Sequence, residues 1–194
     1  MITVDGVTYF DHQYYLIQTL RQLGQQQGEK QFITAVEVGV ASGRTSAVLL
    51  REVPNLHLWM VDHWTAPQYH PKRNQEWYDR AMQTAINAVT PFYPRFRVVK
   101  SKSAEAPRLF LYHSVDLVFI DADHKYDSVL ADMQAWWPVV RWGGVFCGHD
   151  IDGPKDKNGT WGVRRAVEQF TAARGLEFTV HKNCWQIQKP TKEE

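Results

Sequence analysis

The chain reads as an α/β domain: a doubly wound, mostly parallel seven-stranded sheet closed by an antiparallel C-terminal strand. Three observations predict it. From the strand that ends at Glu37 onward, short buried runs rich in Val, Ile and Leu alternate with segments whose apolar residues recur at helical spacing. Parallel strands need long crossover connections, so this alternation places helices on both faces of the sheet. Acidic residues also stand at the carboxyl ends of the candidate strands (Glu37, Asp62, Asp121 and His149-Asp150), the rim where such sheets bind ligands.

Residues 1–10 favour no element. Asp11 is a candidate N-cap for a helix that turns Leu16, Leu20 and Leu23 to one side and stops at Gly24. The polar run Gly24 to Lys30 links it to the first strand, which ends at Glu37. A helix from Thr45 runs to Pro54, and His57 to Asp62 forms the second strand. A Pro-rich aromatic connection then becomes a helix with Tyr78, Ala81, Met82, Ala85 and Val89 on one face. Arg95 to Lys100 is the third strand, and a short helix from Ser103 to Tyr112 leads to Val115–Asp121, whose apolar run predicts burial on both faces. The next helix points Tyr126, Val129, Leu130, Met133 and Trp137 inward. Pro138 and Gly143-Gly144 bring it to a fifth strand, Val145–Asp150. The last helix buries Val163, Ala166, Val167 and Phe170 and stops near Gly175. Leu176–Val180 and Cys184–Gln188 alternate with period two and close the sheet as an antiparallel pair.

Composition narrows the function classes. With 194 residues and 44% apolar content the chain can bury one good core. A formal charge of +1 gives no general drive toward nucleic acid or an anionic membrane. Cys147 and Cys184 have neither disulfide-scaffold nor metal-finger spacing, and the N-terminus lacks a signal-peptide pattern. The expectation is a soluble, cytoplasmic protein with no nucleic-acid or membrane partner, with a homo-oligomer left open.

The densest signal is Ala35 to Ser46, AVEVGVASGRTS. A strand runs into Glu37, Gly39 and Gly43 bracket a tight turn, and Thr45-Ser46 open a helix. Glycines in such a turn let backbone amides approach a ligand, while a carboxylate at a strand end can accept bonds from its hydroxyl or ammonium groups. This motif resembles that of the class I S-adenosylmethionine-dependent methyltransferases, whose fold is a Rossmann-like sheet. Glu37-Val38-Gly39-Val40-Ala41-Ser42-Gly43 stands where that family has an acidic residue followed by alternating glycines, with Ala41 in the middle-glycine place, as in its small-molecule O-methyltransferases. Residues 1–30 are then an N-terminal helical extension and residues 31–194 the methyltransferase domain.

The resemblance implies a cofactor site. Glu37, Gly39, Ser42 and Gly43 would lie by the methionine part of S-adenosyl-L-methionine, and Asp62 would hold the ribose hydroxyls. His63 and Trp64 would line the adenine pocket, with Ser103 and Ala104 at its border. Trp64, Tyr69, His70, Trp77 and Tyr78 also suggest a closing wall. The strand-four run Asp121-Ala122-Asp123-His124-Lys125-Tyr126 resembles an Asp-Ala-Asp-His-x-Tyr motif of a bacterial branch of the family, and more loosely that of cation-dependent catechol-type enzymes. By that likeness Asp121 and Asp150 bind Mg2+ or another divalent cation, Asp121 also borders the cofactor, and His124 is the general base. The implied reaction is O-methylation of a hydroxyl of a small-molecule acceptor; the alternatives are a metal-independent methyltransferase, a nicotinamide-dependent oxidoreductase, disfavoured because Gly-x-Gly-x-x-Gly is absent, and a non-catalytic relative that keeps the cofactor fold. Asp152 and Asn158 are nearby candidates for a third ligand. Asp123 and His124 also have a simpler role open to them, capping the helix that follows.

Overall fold

The computed structural model describes residues 1–27, 32–66, 73–153 and 161–191. A small hairpin comes first, β1 (Ile2–Val4) paired antiparallel with β2 (Val7–Tyr9). The helix α1 (Asp11–Gln27) follows. It starts with Asp11 inside it and passes through Gly24, so neither residue delimits it as the sequence reading expects. Asp11 instead pairs with Lys182 at 3.0 Å and with the N-terminal amine at 3.1 Å, and a Cβ on Gly24 would sit 3.1 Å from Ile33. The glycine is where the helix crosses the sheet closely.

The central sheet is built from β3 (Ile33–Val38), β4 (Leu56–Asp62), β5 (Phe96–Lys100), β6 (Val115–Ile120), β7 (Val140–Gly148), β8 (Thr179–His181) and β9 (Cys184–Gln188). Its order is β5-β4-β3-β6-β7-β9-β8. The first five strands run parallel, and β9 joins β7 and β8 antiparallel. This is the Rossmann-like seven-stranded sheet read from the sequence. The crossovers are α2 (Arg44–Glu52), α3 (Gln75–Val89), α4 (Tyr126–Trp136) and, before the antiparallel end, α5 (Val163–Ala172).

Alternate strand residues feed two cores. Ile33, Ala35, Leu58, Met60, Leu117 and Phe119 pack with α1, α2 and α3 on one face. On the other face Val36, Val38, Val61, Val118, Ile120 and Phe146 pack with α4 and α5. Every residue of β6 is buried, as a parallel central strand requires. Leu16, Ile17, Leu20 and Leu23 of α1 are part of the first core, so the N-terminal helix is built into the domain and is no loose appendage.

Two local expectations change. The segment after β5 is a 3-10 helix ending at Leu109, because Pro107 lacks the amide that a longer α-helix needs. The fifth parallel strand begins at Val140 and carries Gly143 and Gly144 within it. There the register with β6 shifts, Gly143 takes φ +66°, and a Cβ on Gly144 would lie 2.9 Å from the carbonyl of Asp116. Among the described residues no helix is long and apolar enough to cross a membrane.

Candidate active site

The strand order reverses at β3: later strands are added on one side as β4 and β5, and on the other as β6 and β7. Chains leaving neighbouring strands part there and open a crevice at the carboxyl ends. A cleft of about 820 Å³ occupies that place, with Gly39, Asp62 and Asp121 at its floor. His63, Arg73, Trp77 and Tyr78 form one wall; Ser103, Ala104, Ser128 and Asp132 lie on the other.

The turn after β3 is shaped by close backbone approach. Gly39 adopts φ +94°, and a Cβ there would stand 2.1 Å from the carbonyl oxygen of Asp121. No other residue fits where β3 and β6 end. Gly43, at φ +74°, faces Ala85 of α3, whose Cα would be 2.7 Å from an added Cβ. Its role is helix packing, and the cleft wall does not include it. Ser42 is exposed and likewise off the wall.

Asp62 binds the turn directly. Its Oδ2 accepts from the amides of Val40 (3.0 Å) and Ala41 (2.9 Å), and its Oδ1 from that of Trp64 (2.9 Å). A carboxylate offers roughly four lone-pair sites, so the turn uses most but not all of its capacity. Trp64 departs from the expectation that it lines a pocket. Its indole is fully buried in the α1–α3 core and donates from Nε1 to the carbonyl of Ala41 at 2.9 Å. It fastens the turn from behind. His63 does line the cleft, and its Nδ1 accepts from the amide of Thr65 at 2.9 Å. Trp77 and Tyr78 are part of the wall, while Tyr69 and His70 lie outside the described residues.

Glu37 lies beneath this floor, buried, and accepts from the Ser46 hydroxyl. Burial pushes its carboxyl up to about 8, with Asp121 and Asp62 adding to the rise against the hydrogen bond from Ser46. That rise favours its protonated, neutral form at pH 7. Asp132, on the cleft wall, is raised by burial to about 6. Asp123 folds over the turn before α4, its Oδ1 accepting from the His124 amide at 2.8 Å and its Oδ2 from the Ser128 hydroxyl at 2.7 Å, but α4 itself begins after Lys125 with no side-chain cap.

At the far side of Asp121 the ends of β6 and β7 bring carboxylates and imidazoles together. His124 Nε2 lies 2.9 Å from Asp150 Oδ2 and 3.9 Å from Asp121 Oδ1. His149 Nδ1 lies 3.3 Å from Asp150 Oδ2 and 3.9 Å from Asp121 Oδ1. One donor atom each from Asp121, His124 and Asp150 fall within 4.8 Å of one another. Two carboxylates that close repel by about 3 to 4 kcal/mol at an effective dielectric near 20, so a positive charge between them is favoured. Here it is a proton: Asp121 and then Asp150 hold the His124 imidazolium, raising its pKa to about 9. Burial opposes ionisation of Asp150, yet His124 and His149 keep it well below the usual carboxylate range.

His124 therefore stands where the sequence reading puts it, but in this state it holds a proton at neutral pH and has no lone pair free to take one. Asp152 is turned away, paired with Arg164 Nε at 3.1 Å. Asn158 lies outside the described residues. His12 of α1, which motif reading passes over, packs its ring on that of His149 at 4.7 Å and pairs through Nε2 with the Thr45 hydroxyl at 3.1 Å. Ser128 and Asp132 are also unanticipated members of the wall. Their i, i+4 spacing puts them on one stripe of α4, next to the buried Val129 and Met133, and that is the signal that marks them.

Comparison with known proteins assigns this architecture. Residues 36–151 match a family model described as a methyltransferase domain. The match covers more than half of the chain, which belongs to that family. No curated protein sequence matches it. Among solved structures, a Corynebacterium glutamicum protein is similar with a TM-score of 0.67 at 18% identity, over 97% of this chain and 85% of that one. An O-methyltransferase from Bacillus cereus, solved with S-adenosylhomocysteine (SAH), gives 0.65 at 15% identity, over 96% and 84%. A TDP-rhamnose 3'-O-methyltransferase of calicheamicin biosynthesis gives 0.56 at 17% identity, over 92% and 80%. At these identities the likeness is one of fold.

Proposed function

We propose that this methyltransferase moves a methyl group from S-adenosylmethionine to a hydroxyl of a small molecule, with a divalent cation held beside the acceptor. The observation that carries the reading is the position of Asp121, which borders the cleft on one side and the acid–imidazole cluster on the other. Donor and acceptor sites that share one residue are close enough for direct transfer.

The cleft's chemistry fits the cofactor. Asp62, Asp121, Asp123 and Asp132 outnumber Arg73 and Lys125 along its lining, which suits a cationic ligand. Val61, Ala104, Trp77 and Tyr78 supply apolar and aromatic surface for a purine. When bound, S-adenosylmethionine supplies an electrophilic methyl on a sulfonium. Asp62 takes the ribose hydroxyls on its remaining acceptor capacity, and Gly39 keeps the floor free of side-chain bulk. Ser103 and Ala104 border the adenine, and Glu37, uncharged, supports the turn from below.

The cluster's donor set fits a cation: two carboxylates and an imidazole converge, and their mutual repulsion already calls for positive charge. When bound, a divalent cation lowers the pKa of a hydroxyl that it holds. Asp121, Asp150 and His124 would be its ligands, which recasts His124 from base to ligand. Methyl transfer would then break the donor's carbon–sulfur bond as the acceptor oxygen bonds to carbon, leaving S-adenosylhomocysteine, and the acceptor's proton would pass to solvent, because His124 as a ligand could not take it. The chain's contribution is to hold both partners in line and exclude water.

Calorimetric titration with SAH, set beside NAD, tests the cofactor half. SAH is expected to bind and NAD to give no heat. Binding of NAD alone would overturn the assignment.

A further inference from the structure

The donor set of the cluster specifies the kind of cation. His124 Nε2 is buried and, although close to both carboxylates, has no aligned hydrogen-bond acceptor among the described residues. Its ring cannot swing aside easily. It lies face to face on Trp161, with centroids 4.2 Å apart and planes 4° apart, and its backbone carbonyl accepts from the Gly162 amide at 2.8 Å.

Asp150 is equally constrained. Its backbone takes φ +57°, Trp161 Nε1 donates to its carbonyl at 3.0 Å, and Asn183 Nδ2 holds its Oδ1 at 2.8 Å. Oδ2 is left facing the imidazoles. Outer groups that fix the orientation of ligating side chains in this way are a regular part of metal sites. For bonds of about 2.1 Å, neighbouring ligand atoms lie roughly 3 to 3.4 Å apart. The 2.9 Å between His124 and Asp150 meets that spacing, and the 3.9 Å between His124 and Asp121 needs only a small closure.

A nitrogen donor is the discriminating feature. Mg2+ and Ca2+ are hard cations that take oxygen ligands, and Mg2+ gives up its waters reluctantly. Imidazole favours the divalent transition metals, whose affinity for mixed N/O sites rises along the first row. His149, 3.3 Å from Asp150, places a second imidazole at the edge of the same cluster. We infer that Asp121, His124 and Asp150 bind a transition metal of the Mn2+, Fe2+, Co2+ or Zn2+ class in preference to Mg2+ or Ca2+. The inference rests on the cation-assisted reading above.

The test is titration of the full chain with MnCl2, CoCl2 and MgCl2 by calorimetry, with the visible spectrum of Co2+ as a second readout. SAH affinity is measured on each sample. Mn2+ and Co2+ are expected to bind at least about tenfold more tightly than Mg2+, and added protein should change the Co2+ bands. His124→Ala should weaken Co2+ by about tenfold or more and leave Mg2+ within about threefold. If the alanine variant's circular dichroism changes, His124→Asn takes its place. Equal affinity for Mg2+ and Co2+, or a His124 variant that weakens both alike, overturns the proposal. Absence of any cation binding while SAH still binds removes both the metal preference and the cation, and leaves methyl transfer from S-adenosylmethionine standing. Absence of SAH binding separately strikes the transferase reading.

Discussion

The two sides of Asp121 are made of different material. Toward β4 the site is mostly backbone: three amides converge on Asp62, and Gly39 lets β3 and β6 approach until no Cβ would fit. Toward β7 it is almost all side chain, with Asp121, His124, His149 and Asp150 each contributing a titratable group. A backbone site has its shape set by the fold and tolerates little change in it. A side-chain site has its chemistry set by the residues and can lose function while the fold survives. The contrast predicts how variants on each side should fail.

The largest effect belongs to Gly39→Ala, which strikes the seam between the two. Its Cβ would meet Asp121's backbone at 2.1 Å, a group that cannot rotate away. A loss of about 3 to 5 kcal/mol is expected in urea unfolding. An unchanged midpoint would mean that the strand ends are not so tightly joined.

His124→Ala should behave in the opposite way. Methyl transfer, measured once an acceptor is in hand, is expected to fall by a factor on the order of 10² or more, while SAH affinity stays within about twofold. A parallel loss of cofactor affinity would show that the two sides are not separable.

Asp62→Asn is intermediate, because one carboxylate serves both the turn and the proposed cofactor. An amide nitrogen in place of one oxygen would face an N–H donor. SAH affinity should fall by about 1 to 3 kcal/mol, with a measurable drop in melting temperature. A drop in stability alone would leave Asp62 as an anchor of the turn and remove it from ligand binding.

The smallest effect is a slope. Glu37 titrates near 8 in the fold against an ordinary value of 4.5. Between those values the native state keeps a proton that the unfolded chain has released, so stability falls as pH rises through the window. The slope can reach at most about 1.4 kcal/mol per pH unit. Glu37→Gln should flatten it, gaining on the wild type between pH 6 and 8 in thermal melts. Parallel curves would show that Glu37 is ionised in the fold.

The same contrast explains what could be read from the chain. Order, type and burial of the main elements follow from local periodicity, and α5 buries the very residues its spacing marks: Val163, Ala166, Val167 and Phe170. Gly39, Asp62 and Asp121 are near their neighbours in sequence or at strand ends, so the turn motif exposes them. Trp64 was hidden because nothing local distinguishes an indole that walls a pocket from one that pins a turn. The hairpin of β1 and β2 has strands of only three residues each, too short for periodicity to register. His12 reaches the cluster through the docking of α1, and only the packing of Leu16, Leu20 and Leu23 against the sheet decides where it ends up. The charge of His124 likewise depends on Asp150, from a strand apart.

Both halves of the site meet at Asp121, and one measurement asks whether they work together. Mn2+ is paramagnetic and broadens the proton resonances of molecules bound nearby. With SAH in the cleft and Mn2+ added, strong broadening of the bound ligand's resonances is expected in the wild type. Asp150→Asn should abolish it without lowering SAH affinity by more than about threefold. Sharp SAH resonances in wild-type protein under conditions where calorimetry shows both ligands bound would contradict the account, placing the cation away from the cofactor.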